Sequence, residues 1–367
     1  MPPTEAVAHA AVCLSVEQWP EADAEAWLIA LEPAADPFSE CSAASSWSER
    51  SRAKTAKGYG RWLHWASETG LDLDERPADR VTPQKVRAYV TDLRRLNSDF
   101  TVLCRIQELY DAIRVIAPDR DWGWLRRAQN RLRARCVPVR DKTSRIQPAE
   151  VLVELGKELM TKAEAATSKS ALRRAVLYRD GLIIAFLAYR FVRLSNLAMI
   201  TLGLHLVRHT DGYRLCFSGP EMKGGRPFEA MVPAALVVAF DRYIDHHRPI
   251  LLTRGGRQPH AQTDRLWISE TGTSLEPASM PQRIKKHTRC AFGKHIWPHL
   301  FRDCAATTVA IEGPEHVGIV PSILNHSTPT VYEKHYNQAS GVAASHRYQR
   351  LLDDLLESAD ESDELEG

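Results

Sequence analysis

Apolar residues recur at helical spacing over most of this chain and at strand spacing over one short stretch, and that change of period sets the first expectations. From Ser51 the series Thr55, Tyr59, Trp62, Leu63 and Ala66 repeats every three or four positions, and Gly70 follows where a helix would close on a C′ glycine. Thr82-Pro83 supplies an N-cap and an N1 proline, and Val86, Val90, Leu93 and Leu96 mark the apolar face behind it. A third face runs through Val102, Ile106, Leu109 and Ile113. The segment WGWLRRAQNRLRARCVPVRDKTSR is dense in arginine and ends in Val-Pro-Val, which cannot continue as helix. A domain boundary is expected there, near residues 138–146.

Pro148 opens the second half at a helix start, and a further helix is expected through Tyr178–Leu187, running into AYRFVRLSNLAMITL. The period then shortens. Tyr213–Phe217 and Phe228–Val232 read as short strands around PEMKGGRP, a hairpin with Gly-Gly at its tip, and helices return from Ala235. Residues 1–45 mix Ala, Pro, Glu and Ser around one short amphipathic candidate at Trp27, Leu28 and Leu31, and read as a loosely attached extension. The expected organisation is thus an acidic extension over 1–45, a helical domain over 46–140, a second domain over 146–350 and an acidic tail over 351–367. In fold class this is mainly α with a small antiparallel β-sheet. At 367 residues the chain exceeds what one core usually organises, which fits two domains.

Charge sharpens the picture. The formal net charge is only +2, yet residues 1–49 hold nine acids and residues 353–367 hold eight, with no Lys or Arg in either. Taking those 17 from 46 acids leaves 29 against all 48 Lys and Arg, so residues 50–352 carry +19. A middle of that charge suits a nucleic-acid partner, the plainer alternative being two solvated tails on a mildly basic globule. The longest apolar run, GLIIAFLAYRF, is too short for a membrane span and contains Arg190. No secretory signal is apparent and the seven Cys are scattered without a CxxC pair, so reduced thiols and a cytoplasmic protein are expected.

Five segments then bring chemistry in a fixed order: Arg193 in VRLSNL, Lys223 in the hairpin, His299 and Arg302 in HLFR, His326 in LNHS, and Tyr336 in EKHY. Each is weak alone. Together they hold what a metal-free attack on a phosphodiester needs. Two arginines can fork onto non-bridging oxygens, two histidines can move protons, a lysine can protonate the leaving oxygen, and a tyrosine can attack. No metal or other cofactor is expected: Cys290, His295, His299 and Cys304 lack the close paired spacing of a zinc site, and His246 and His247, adjacent on a helix, face different directions.

With these residues in view, the chain resembles the tyrosine recombinase family, the phage integrases and bacterial dimer-resolving recombinases, over residues 51 to about 345. RDGLIIAFLAYRFVRLSNLAMITL is similar to the family's RD-apolar-TGLRxSEL segment, and PHLFRDCAATTVA followed by LNHSTPTVYEKHY to its later motifs. The resemblance implies a helical DNA-clamp domain joined to a tyrosine-recombinase catalytic domain. It implies Arg193 and Arg302 as phosphate-binding arginines, Lys223 as the hairpin lysine, His299 and His326 as the two histidine positions and Tyr336 as nucleophile, with Tyr332 the second candidate. Double-stranded DNA is the expected partner, bound in part by Arg126, Arg127, Arg131, Arg133 and Arg135. A homo-oligomer, such as a tetramer on two DNA sites, or an assembly with related recombinases is expected too. The leucines 351, 352, 355 and 356 would pack either on their own domain or into a neighbouring protomer.

Two positions depart from the pattern. Asn196 stands where the family has an acid, and Phe191 where it has a glycine. The alternatives left open are a catalytically weak DNA-binding accessory protein of the same fold and an enzyme resembling type IB topoisomerases.

Overall fold

A computed structural model describes residues 12–33, 36, 41–137, 142–222, 225–254 and 263–312. The chain divides into two compact units, residues 1–141 and 142–367. Each has its own buried core.

The first unit is helical. Its elements are α1 (Glu21–Leu31), α2 (Glu49–Glu68), the single turn α3 (Pro77–Arg80), α4 (Pro83–Leu96), α5 (Asp99–Ile116) and α6 (Gly123–Arg135). The expected stop and start signals are used. Gly70 takes a left-handed φ of 72° after α2, and Thr82 accepts the Lys85 N–H at 3.3 Å at the head of α4. Tyr59, Trp62, Leu63, Ile106, Leu109 and Ile113 are all buried, as their spacing requires.

One expectation fails here. Residues 14–31 are not loosely attached: Trp19 and Trp27 belong to the first core, and Trp19 packs edge-on against Tyr59 with ring centroids 5.1 Å apart. The inward face of α1 is led by a carboxylate. Asp23 is fully buried, takes two hydrogen bonds from Arg80 at 2.9 and 2.7 Å, and accepts the Tyr59 hydroxyl at 2.6 Å. Burying that charge is tolerable because every donor around it is matched to it.

The second unit packs helices around a three-stranded antiparallel sheet in the order β1-β2-β3. The elements run α7 (Ala149–Ala165), α8 (Ala171–Tyr189), α9 (Leu194–Met199), β1 (Leu206–His209), β2 (Gly212–Phe217), β3 (Phe228–Met231), α10 (Ala234–Arg242), α11 (Arg248–Leu252), α12 (Met280–Phe292) and α13 (Leu300–Glu312). α7 and α8 meet backbone to backbone. A Cβ on Gly181 would sit 2.6 Å from the Gly156 carbonyl oxygen, so glycine at this crossing is a packing requirement. The two expected strands pair with Phe217 opposite Phe228, while β1, which the sequence reading missed, joins through a tight turn closed by Gly212. The β2–β3 connection passes through a short 3-10 turn at Gly219–Glu221, and Lys223 and Gly224 lie outside the described residues. No helix among the described residues is long and apolar enough to cross a membrane.

Buried charge also ties this unit together. Arg179 and Asp180 are 1% and 2% exposed. Arg179 donates to Asp180 at 3.1 and 2.6 Å and to the Ile268 carbonyl at 2.5 Å, while Arg283 and His287 of α12 reach the other carboxylate oxygen at 2.9 and 3.0 Å. Burial pushes the Asp180 carboxyl up, but Arg179, the His287 hydrogen bond and Arg283 outweigh it and hold the pKa at about 2.

Candidate active site

α8 ends where its ladder closes with the Arg190 N–H on the Phe186 carbonyl at 2.7 Å, and the chain turns into α9 through Phe191, Val192 and Arg193. Arg193 takes the N-cap position of α9, its carbonyl receiving the Leu197 N–H at 2.8 Å. The buried Trp267 indole donates to the Leu197 carbonyl at 3.0 Å and so fixes α9 against the core. Arg193 thus projects from a turn clamped on both sides.

Arg302 arrives from the far end of the unit. Leu300, Phe301 and Cys304 bury the inner face of α13, and the helix is pinned to the start of α7 by the Ala149 N–H, which donates to Thr308 Oγ1 at 2.9 Å. From this anchored first turn, Arg302 donates to the Phe191 carbonyl at 2.7 Å. Arg193 and Arg302 line one cavity of about 420 Å³, together with Phe191, Met222, Phe228 and Met231. Partial burial, and then the neighbouring Arg193 charge, lower the Arg302 pKa to about 10, with Asp303 acting the other way. It remains a cation at neutral pH. Two guanidinium groups at one cavity can together receive an anion, and the planar fork of each matches the geometry of a phosphodiester.

His299 lies three residues before Arg302 but is not among the residues lining that cavity. It is exposed and stacked on Trp297 with ring planes 16° apart. Crowding around its ring, and then the Lys142 ammonium, lower its pKa, with Asp303 opposing them. His326 and Tyr336 lie outside the described residues, as do Lys223, Tyr332 and the leucines at 351–356. Arg126, Arg127, Arg131, Arg133 and Arg135 are all exposed on α6, whose inner face is held by Leu125 and Gln129. His247 is buried and His246 exposed, as their adjacency required.

Three features escaped the sequence reading. Arg190 donates to the Met231 carbonyl at 3.1 and 2.8 Å and ties the end of α8 to β3. The Asn196 Nδ2 donates to the Glu221 carbonyl at 3.0 Å. Glu221 is itself held three ways, by His205 Nε2 at 2.8 Å and by the Ser218 N–H and hydroxyl at 2.8 and 2.7 Å. Those hydrogen bonds keep its carboxyl at about 2. Only the last feature had a signal in the sequence: Ser218-x-x-Glu221 has the spacing of a capping box.

A solved structure of the XerH site-specific recombinase bound to difH substrate, a pre-cleavage complex, matches with a TM-score of 0.51 and 14% identity, over 78% of this chain and 76% of that one. The chain has the tyrosine-recombinase fold. XerA recombinase (18% identity, 83% and 93% covered, TM-score 0.39) and the Tn1549 transposon integrase in complex with circular intermediate DNA (14%, 83% and 94%, 0.49) are similar at a lower level. No protein-family model and no curated protein matches the chain. Within the tyrosine-recombinase fold, the mainly helical second unit with its small antiparallel sheet is the part that carries Arg193 and Arg302.

Proposed function

We propose that this protein is a site-specific DNA recombinase that cuts and rejoins strands through Tyr336. The reading is carried by one observation: two arginines more than a hundred positions apart in the chain share a single cavity, in a fold similar to that of a recombinase. In this reading the scissile phosphate sits between Arg193 and Arg302. The Tyr336 hydroxyl attacks phosphorus, a 3′-phosphotyrosine forms, and the 5′-oxygen leaves. The ester bond is exchanged and no phosphate ester is lost to water, so the reverse reaction can join a different strand without ATP. A tyrosine with an ordinary pKa near 10 needs its proton removed as it attacks, and His299, its pKa lowered, is suited to accept it. His326 supplies a second proton-handling position and Lys223 donates to the leaving oxygen.

The partner in this reading is duplex DNA, as for the XerH structure with its difH substrate. The outward arginines of α6 bind backbone phosphates, and strand exchange between two sites calls for a tetramer or an assembly with related recombinases. The test is covalent trapping on a nicked suicide substrate. The wild-type protein and Tyr332→Phe should form a protein–DNA adduct, while Tyr336→Phe should bind DNA and form none. An adduct from Tyr336→Phe would sink the assignment, and no adduct from the wild type would favour an accessory DNA-binding protein of this fold.

A further inference from the structure

Asn196 is 2% exposed and stands where a carboxylate is the family's usual choice. Its surroundings explain the exchange. Nδ2 faces the Glu221 carbonyl oxygen at 3.0 Å and the sulfurs of Met222 and Met199 at 3.4 and 4.0 Å, all of them acceptors. A carboxylate here would put charge against a carbonyl oxygen and two sulfurs with no proton to share, whereas an amide N–H satisfies the strongest of them.

The hydrogen bond holds a particular piece of chain. Glu221 ends the short turn after β2, and its side chain is fixed by His205 and Ser218. Within the turn, the Glu221 N–H donates to Ser218 at 3.2 Å and the Met222 N–H to Gly219 at 3.0 Å, and the Gly225 N–H donates back to the Met222 carbonyl at 2.9 Å. The turn is also tightly packed, since a Cβ on Gly219 would sit 2.5 Å from the Gly225 carbonyl oxygen. Met222 lines the same cavity as Arg193 and Arg302. Lys223 is the next residue in the chain.

We propose that Asn196 is a positioning residue for the β2–β3 connection: its amide, donated to the Glu221 carbonyl, holds Glu221 and Met222 where the chain leaves the arginine cavity, and the proton transfer assigned to Lys223 depends on that anchor. The proposal rests on the recombinase reading for its chemistry, but not for its geometry. Asn196 and Arg193 share the first turn of α9, so the segment that carries Arg193 also anchors the turn at Glu221. Asn196 touches no substrate in this account. It acts through Glu221 and Met222.

The experiment compares wild type, Asn196→Asp and Asn196→Ala as full chains. The first variant keeps the shape and loses the donor; the second loses the donor without burying a charge. Cleavage is followed on a suicide substrate with an ordinary 5′-oxygen and on one with sulfur at that bridging position, a leaving group that needs no proton. Both variants should bind DNA as wild type does and cleave the oxygen substrate more slowly, on the order of tenfold to a hundredfold, part of what a positioned proton donor contributes. The sulfur substrate should bring both back to within a few-fold of wild type. Amide hydrogen exchange at Glu221, Met222 and Gly225 should be faster in both variants. Equal slowing on the two substrates would overturn the proposal, because a damaged phosphate pocket is not relieved by sulfur. Unchanged exchange would overturn it independently of any activity. If wild type forms no adduct on either substrate, the recombinase reading fails, and the exchange data alone decide whether Asn196 anchors the turn.

Discussion

Arg179 and Arg302 belong to the same unit and are built in opposite ways. Arg179 meets a carboxylate: it donates twice to Asp180, and Arg283 and His287 close the remaining side of that anion. Arg302 donates to a backbone carbonyl and lies beside a second cation, Arg193, which helps to lower its pKa to about 10. The first arrangement uses its charges to join α8, α12 and the chain at Ile268. The second brings two guanidinium groups to one cavity, where in the proposed function they meet a phosphate. Charge balanced inside a core serves the fold, and in the proposed function charge gathered at a cavity serves a ligand.

The largest effect expected on stability comes from breaking the balanced cluster. Asp180→Asn leaves Arg179 buried without its anion, and removing one partner of a buried pair costs about 3–5 kcal/mol. Urea unfolding at neutral pH measures it. A loss under 1 kcal/mol would mean that the Ile268 carbonyl suffices for Arg179.

The same carboxyl should make the fold sensitive to acid. Its folded pKa of about 2 lies below the ordinary Asp value, so its contribution is fully present above about pH 4 and is lost as pH falls through 2. By linkage the loss amounts to about 2–3 kcal/mol. Wild type should therefore lose stability between pH 5 and about pH 2 more steeply than Asp180→Asn. Parallel curves would remove Asp180 from the account.

A smaller change is expected at the arginines that face outward. Arg131 is exposed on α6 and, in the proposed function, meets a phosphate. Arg131→Ala should leave the unfolding midpoint alone and reduce the slope of log K against log salt by about 0.9, one phosphate's share. An unchanged slope would take that residue off the DNA surface.

How far the sequence could be read follows the same division. Helices with a clean apolar face, α2, α4 and α5, were legible, and so were the close of α2 at Gly70 and the Thr82 cap of α4, because a periodic face and a local residue determine them. β2 and β3 were legible from alternation. α1 was not, since its inward face is led by Asp23, and the Arg80 that makes this burial tolerable lies 57 residues away. β1 was missed because four residues before a turn carry too little pattern. In the candidate site, Arg193 and Arg302 were legible as residue types in a known order. The groups that hold the site were not, because Arg190 and Asn196 bind backbone carbonyls, which every residue possesses and no sequence pattern marks.

The central claim is that Arg302 serves a phosphate rather than the fold, and Arg302→Ala tests it most directly when adduct formation and thermal unfolding are measured on the same preparation. Cleavage of a suicide substrate should fall about 10²–10³-fold, the scale of losing one preorganised donor to a developing charge, while the unfolding midpoint falls far less than for Asp180→Asn, because no buried anion is left without its partner. Cleavage at the wild-type rate, or a midpoint that drops as it does for Asp180→Asn, would contradict the account.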